Sequence, residues 1–265
     1  MCALSGPARR LYDATMARTV VISGGGTGIG RAAAHAFADS GARVVLLGRR
    51  GTVLERAAER IPGAAWYAAD LSRPEDVRRV ADTIGRDQGA VDVLVHSAGG
   101  SGELEPPAEH TEPLAAVAEE WSHAFRLNVL TAVLLTEALR DRLATPGGRV
   151  LFLGSIAAYR GTGSRAGYAA AKAALHPYAF RLARELGPRG VTVNVVAPGL
   201  VEETDFFGGE PFPEDRLRER IAETATGRIG RPGDVAETLR WLASPAAGHI
   251  TAQVIQVNGG AERGH

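Results

Sequence analysis

Lys172 is the single lysine of the 265-residue chain; the other 29 of its 30 basic residues are arginine. Arginine, alanine and glycine share GC-rich codons, and drift in a GC-rich genome removes any lysine that arginine can replace. The retained lysine stands four places after a tyrosine, in the run Tyr168-Ala-Ala-Ala-Lys172. Residues at i and i+4 share one face of a helix. An ammonium beside a phenol favours the phenolate, which predicts a tyrosine pKa lowered toward neutrality. Such a pair is a positioned acid–base, able to give a proton to a carbonyl oxygen or take one from an alcohol. With five tyrosines in 265 residues, a lone lysine falls four places after one by chance about 2% of the time. The competing reading is a helix-surface pair without a role. Tyr159 forms no such pair, because its i+4 neighbour is Gly163.

A second constellation lies near the start. Ser23-Gly24-Gly25-Gly26-Thr27-Gly28-Ile29-Gly30 follows an apolar run and precedes a helical pattern. Glycines allow a tight turn and a close backbone approach to a diphosphate, and the helix N-terminus adds free N–H groups and a positive dipole end. Between a first strand and a first helix the run reads as dinucleotide-binding; without that context it is equally a turn with no ligand. Its spacing, Gly-x-x-x-Gly-x-Gly over Gly24, Gly28 and Gly30, is not the Gly-x-Gly-x-x-Gly of the Rossmann fingerprint. About 20 residues on, NAD-binding units place an acid for the ribose 2′-hydroxyl. This chain has Leu46-Leu47-Gly48-Arg49-Arg50 there. Two guanidiniums suit a 2′-phosphate, so NADP(H) is favoured over NAD(H); the alternative is solvated arginines in an arginine-rich chain.

These residues need a scaffold, and the hydrophobic pattern predicts one. Apolar runs at 19–22, 42–47, 65–68, 91–95, 150–153, 191–196 and 254–257 are short and apolar on both faces, as buried parallel strands are. Helical patterns occupy 30–39, 51–60, 74–88, 119–144, 165–186 and 232–243. Ser72-Arg73-Pro74-Glu75 opens one helix and Gly187-Pro188 closes another. The alternation predicts an α/β fold: a single Rossmann-like, doubly wound domain over 16–265, with about seven parallel strands and helices on both faces. Residues 1–15 read as a disordered tail, or as a stretch upstream of a start at Met16. Two long loops are expected, at 99–113 and 202–213, the second carrying Phe206, Phe207 and Phe212.

Composition excludes other classes. Thirty acidic residues balance the thirty basic ones and the sequence pI is near 7.1, which argues against a nucleic-acid or anionic-membrane binder. Cys2 is the only cysteine, so neither an internal disulfide nor a cysteine-based zinc site is expected. The seven histidines are scattered, no metal site is predicted, and no apolar stretch reaches a bilayer-spanning length. The N-terminus lacks a signal-peptide core, so a cytoplasmic location is expected.

Taken in order, the motifs resemble the short-chain dehydrogenase/reductase family, in its compact single-domain branch with 3-oxoacyl reductase-like and ketoreductase members. The likeness runs from Arg18 to about Gly260. Gly24, Thr27, Gly28, Ile29 and Gly30 resemble the family's glycine motif. Asp70-Leu71 resembles the acid that meets the adenine ring. Ala98-Gly99 resembles the end of its Asn-Asn-Ala-Gly motif, and Ser97 just before it is also expected at the cofactor. Asn128, Ser155, Tyr168 and Lys172 match its catalytic set. Asn194 to Gly199 and Val257-Asn258-Gly259-Gly260 resemble two later segments.

The resemblance implies that Tyr168 exchanges a proton with the substrate oxygen, which Ser155 also hydrogen-bonds. It implies that Lys172 lowers the tyrosine pKa and holds the nicotinamide ribose, while Asn128 holds a relay water. Pro198, Gly199, Val201 and Thr204 are expected at the cofactor, although Thr204 stands one place late after Glu202-Glu203. His96-Ser97 replaces the family's paired asparagines, and His96 reads as a packing residue rather than a base. The expected partners are a carbonyl or alcohol substrate and further copies of this chain, as a homotetramer or homodimer built on the Asn128 and Tyr168 helices. The phenylalanines at 206, 207 and 212 point to a bulky or apolar ketone, or merely dock their loop. No basic cluster for a phosphopantetheine is evident near the substrate, which ranks a 3-oxoacyl-(acyl-carrier-protein) reductase second. A non-catalytic dinucleotide sensor is the reading from another class, and it would have no use for the intact Asn128, Ser155, Tyr168 and Lys172 set.

Overall fold

Alternate residues of a strand point to opposite faces of a sheet, so strands that are apolar throughout must be covered on both sides. The computed structural model describes residues 17–100, 112–160, 166–202 and 213–263. In it the seven apolar runs form one parallel sheet: β1 (Thr19–Ser23), β2 (Arg43–Gly48), β3 (Ala65–Ala68), β4 (Val93–His96), β5 (Arg149–Leu153), β6 (Thr192–Pro198) and β7 (Val254–Val257). The order is β3-β2-β1-β4-β5-β6-β7. The winding reverses at β1, which pairs with both β2 and β4, and Ile22 stands opposite Leu46 on one side and Val95 on the other. A reversal of this kind opens a crevice at the carboxyl ends of the strands.

Two cores follow from the alternation. Val21, Val45, Leu94 and Phe152 face one side, under α3 (Pro74–Asp87), α5 (Thr131–Leu139) and α7 (Ala166–Leu186). Val20, Ile22, Leu46 and Val95 face the other, under α1 (Gly28–Asp39), α2 (Gly51–Ala58) and α9 (Pro232–Leu242). The fold class is the one the sequence predicts. The expected tail at 1–15 lies outside the described residues.

Three elements differ from expectation. The helix expected over 119–144 begins earlier, as α4 (Pro113–Phe125), with Pro113 in its first turn and the Glu112 carboxylate accepting from Ala115 N at 2.9 Å. It is then interrupted by a π-turn, Arg126–Leu130, before α5. The Asn128 amide donates to Ala124 O at 3.0 Å, inserting a side chain into the helical ladder, one of the identifiable causes of such a break. A short α6 (Ala157–Arg160) follows β5, and α8 (Glu214–Ala222) occupies a stretch given no helical reading. α8 carries no buried residue, so it lacks the apolar periodicity that betrays a helix in sequence.

Candidate active site

β1 ends at Ser23 and the chain turns into α1 through the glycine run. Gly24 has φ +68°, a left-handed conformation that favours glycine, and a Cβ there would lie 2.7 Å from Ala98 N and Ser97 O. A Cβ on Gly30 would run into the Gly24 carbonyl oxygen and approach Ser97 Oγ at 3.1 Å. Ser23 Oγ accepts from Ala98 N at 3.1 Å, locking the turn onto the end of β4. Thr27 is the N-cap of α1 but makes no side-chain cap bond, and the first amide tied into the helix is Arg31 N, to Thr27 O at 3.0 Å. The first-turn N–H groups thus have no intrahelical acceptor, and Gly28 and Ile29 face a cavity of about 1910 Å³. This cradle fits a diphosphate.

Along the cavity from this turn, Gly48, Arg49 and Arg50 emerge at the end of β2, with both arginines exposed. Asp70 and Leu71 follow β3. The Asp70 carboxylate accepts from Ser72 N at 3.0 Å and from Ser72 Oγ at 2.7 Å, which fixes its orientation. Arg73, which the sequence reading did not single out, also lines this end, paired with Glu75 at 2.7 Å.

At the other end, Ser155 stands after β5 while Tyr168 and Lys172 project from α7 into the same cavity. Tyr168 and Lys172 are 6% and 5% exposed. A hydrogen bond links Ser155 to the Tyr168 phenol and lowers its pKa, but burial outweighs it and pushes the phenol up to about 12. This reverses the expected lowering. Burial also pushes Lys172 down, to about 8, and its Nζ donates to Leu153 O at 2.9 Å, 5.8 Å from the Tyr168 ring centroid. Removal of both groups from water decides their proton affinities here.

Asn128 does not line the cavity. Its Oδ1 accepts from Gly100 N, and its Nδ2 donates to Gly100 O and Ala124 O, all at 3.0 Å. It therefore clamps the segment after β4, where a Cβ on Gly99 would lie 2.6 Å from Asn128 Oδ1 and 3.1 Å from Lys172 Nζ. Gly30 is likewise behind the wall, whereas Thr27, Ser97, Ala98, Gly99, Pro198, Gly199 and Val201 line it. Pro198 O accepts from Ile156 N at 2.9 Å, joining the end of β6 to the Ser155 turn. Thr204 and the three loop phenylalanines lie outside the described residues. His96 is buried in the core, stacked on Phe152 at 4.6 Å, with Nε2 2.8 Å from Thr136 Oγ1; burial pushes its pKa down to about 3.

The expectation that no basic cluster surrounds the substrate region is corrected. Arg126, Arg160, Arg216 and Arg220 line this part of the cavity, with Glu219 and Glu223. They come from the π-turn, α6 and α8, so proximity exists only after folding and no local motif announces it. Among the described residues no group of three or more His, Cys, Asp or Glu could hold a metal ion, and no helix is long and apolar enough to cross a membrane.

Comparison with known proteins shows the family to which this fold belongs. A family model described as enoyl-(acyl carrier protein) reductase matches residues 24–262. The chain is 32% identical to a 3-oxoacyl-(acyl-carrier-protein) reductase of Vibrio cholerae over 250 residues, covering 92% of this chain and 96% of that protein. It is 35% identical over 257 residues to a putative ketoacyl reductase of the granaticin polyketide synthase from Streptomyces violaceoruber, covering 94% and 98%. A crystal structure from Brucella melitensis, described as a short-chain dehydrogenase/reductase of the glucose/ribitol dehydrogenase type, superposes with a TM-score of 0.83 at 32% identity, covering 93% of this chain and 97% of that one. The chain belongs to the short-chain dehydrogenase/reductase family.

Proposed function

We propose that the protein is an NADP(H)-dependent oxidoreductase that reduces a ketone to a secondary alcohol, or runs the reverse, with Tyr168 as proton donor. The observation that carries this reading is the convergence of the Ser155 hydroxyl, the Tyr168 phenol and the Lys172 ammonium at one end of a cavity whose other end is the phosphate cradle. The bound dinucleotide supplies or accepts the hydride. Gly28 and Ile29 offer backbone N–H groups to its diphosphate, Arg49 and Arg50 meet a 2′-phosphate, and Asp70 and Leu71 flank the adenine. Val201, Thr204, Pro198 and Gly199 belong to the nicotinamide side.

The chain's own chemistry is proton transfer and charge stabilisation. The raised pKa keeps Tyr168 a neutral phenol at physiological pH, ready to donate to an oxygen that gains negative charge. Ser155 hydrogen-bonds the same oxygen and lowers the energy of that charge. Lys172 holds an ammonium behind the phenol and reaches the ribose hydroxyls. Asn128 acts as a positioning residue through Gly100.

Two polar groups aimed at one oxygen favour a carbonyl over a carbon–carbon double bond. The relatives named as 3-oxoacyl and ketoacyl reductases support the same choice and keep a 3-oxoacyl thioester as the second substrate reading. The cavity, about 1910 Å³, exceeds ordinary small-ligand pockets of roughly 300–1,000 Å³ and so has room for a dinucleotide with a bulky substrate. An apolar ketone rests on Phe206, Phe207 and Phe212 alone. Oxidation of NADPH and of NADH, followed with ketones, 3-oxoacyl thioesters and 2-enoyl thioesters, tests the reading; oxidation only with the enoyl compounds, or with no carbonyl compound, contradicts it.

A cytoplasmic enzyme comprising 16–265 and assembled as a dimer or tetramer completes the proposal. Leu114, Val117, Trp121 and Phe125 form an exposed apolar stripe on α4, and Leu130 and Phe180 are exposed as well. A stripe of this kind on a surface helix suits a two-fold helical interface.

A further inference from the structure

The chain as a whole has no net formal charge, yet the lining of the cavity that holds the candidate site is not balanced. Three arginines stand at the nucleotide end, Arg49, Arg50 and Arg73, against the single carboxylate of Asp70, an excess that a phosphorylated dinucleotide accounts for. The substrate end also carries an excess, four arginines against two glutamates, and the dinucleotide does not account for that one. A cleft lined by one sign of charge concentrates ligands of the other.

The arginines of the substrate end are not equivalent. Arg160 is bound to Glu223 at 2.6 Å, to Glu262 at 3.3 Å and to the Ala261 carbonyl. Arg220 is bound to Glu223 at 3.0 Å, and Arg126 faces Glu119 at 3.5 Å. Arg216, on the first turn of α8, is exposed, lines the cavity, and has no carboxylate within 4.0 Å among the described residues. Arg216, Glu219, Arg220 and Glu223 follow the helical spacing that puts them on one face, so the cavity side of α8 is charged along its length. A wall of this composition suits a substrate that carries charge beyond its reacting carbonyl.

Resting on the carbonyl-reductase reading, we infer that the substrate carries an anionic group, a carboxylate or a phosphate, received by Arg216 on the cavity face of α8. Glu219, three residues on, flanks the same place and opposes the anion, so the two residues act with opposite sign.

Two pairs of ketones, each with a common reacting carbonyl, test this. One pair is 5-oxohexanoate and its methyl ester; the other is acetoacetyl-phosphopantetheine and acetoacetyl-pantetheine. The expected result is that wild type prefers the anionic member of at least one pair by about tenfold in kcat/KM, equivalent to about 1.4 kcal/mol. Arg216→Ala brings that ratio to near one, Arg216→Lys restores most of it, and Glu219→Gln increases it. The responding pair identifies carboxylate or phosphate. A wild-type ratio near one in both pairs, or a ratio that Arg216→Ala leaves intact, overturns the inference while leaving the reductase reading in place. Absence of NADPH oxidation with all four ketones overturns the reductase reading instead. In that event calorimetric binding of phosphopantetheine against pantetheine, and of 5-oxohexanoate against its ester, to wild type and Arg216→Ala still decides whether Arg216 receives an anion.

Discussion

Lys172 and Tyr168 lie one turn apart on α7, yet the lysine gives its hydrogen bond to the Leu153 carbonyl at 2.9 Å and holds its ammonium 5.8 Å from the centre of the tyrosine ring. The pair is coupled through space and a common burial rather than by a direct bond. Burial moves the phenol up to about 12 and the ammonium down to about 8, so across the neutral range the protein alone holds a neutral acid beside a cation.

Loss of that cation should limit activity at high pH. The Lys172 ammonium deprotonates near pH 8 in the folded protein, so kcat/KM for NADPH, which reports the free enzyme, is predicted to fall as pH rises past 8. In Lys172→Arg the guanidinium stays charged but is larger and bonds in a fixed fork, so kcat should drop about 100-fold or more and the limb near 8 should vanish. Full activity with the wild-type pH profile would return the lysine to coincidence.

The same shift has a signature in stability. Between the folded value near 8 and the ordinary value of 10.5, the unfolded chain holds a proton at Lys172 that the folded chain does not. Stability from this site therefore rises with pH across that window. Thermal unfolding of wild type and Lys172→Met, compared from pH 7 to 10, should show wild type gaining on the variant as pH rises; a constant difference contradicts the depressed pKa.

Gly30 is constrained by space rather than by its backbone angles. A methyl group there meets the Gly24 carbonyl, which belongs to the turn and cannot move aside as a side chain would. Gly30→Ala is predicted to lower unfolding free energy by about 1–3 kcal/mol and to weaken NADPH binding, measured by denaturation and fluorescence titration. Unaltered stability would show that the turn has more slack than its geometry indicates.

Arg49 stands at the end of β2 where the adenosine ribose is proposed to lie. Arg49→Asp should weaken NADPH binding by on the order of 2 kcal/mol, roughly thirtyfold in Kd, with a much smaller effect on NADH. Equal losses for both cofactors would remove the 2′-phosphate assignment.

Arg160 joins α6, five residues after Ser155, to Glu223 at the end of α8 and to Glu262 near the C-terminus. Arg160→Ala should cost about 1–2 kcal/mol of stability at neutral pH. Burial raises the Glu223 carboxyl, but the hydrogen bonds from Arg160 and Arg220 outweigh it, and the pKa ends below the ordinary 4.5. A lowered folded pKa contributes stability above pH 4.5 that is lost as pH falls. The melting-temperature gap between wild type and Arg160→Ala should accordingly narrow in acid; a gap independent of pH would place the effect in packing alone.

Much of the site was legible because its signals are local. Tyr168 with Lys172, and Gly24 with Gly28 and Gly30, are linked by spacing over at most seven consecutive residues, and the strands announced themselves as short apolar runs. The fold class followed from their alternation with helical patterns. What escaped was non-local or had no apolar signature. The arginines at 126, 160, 216 and 220 meet only in the folded chain, Asn128 clamps Gly100 across the loop after β4, and α8 buries nothing. The expected lowering of the Tyr168 pKa failed for a related reason, because spacing predicts a neighbour but not the depth at which both groups are buried.

In the proposed reaction the Tyr168 hydroxyl delivers the proton. Steady-state turnover of a reducible ketone by Tyr168→Phe, with NADPH affinity measured on the same preparation, tests it most directly. The expected result is a loss of kcat of about 1,000-fold or more, within the range general acids contribute, with NADPH Kd changed by less than about threefold. Turnover near the wild-type rate with cofactor binding intact would mean that the proton comes from elsewhere.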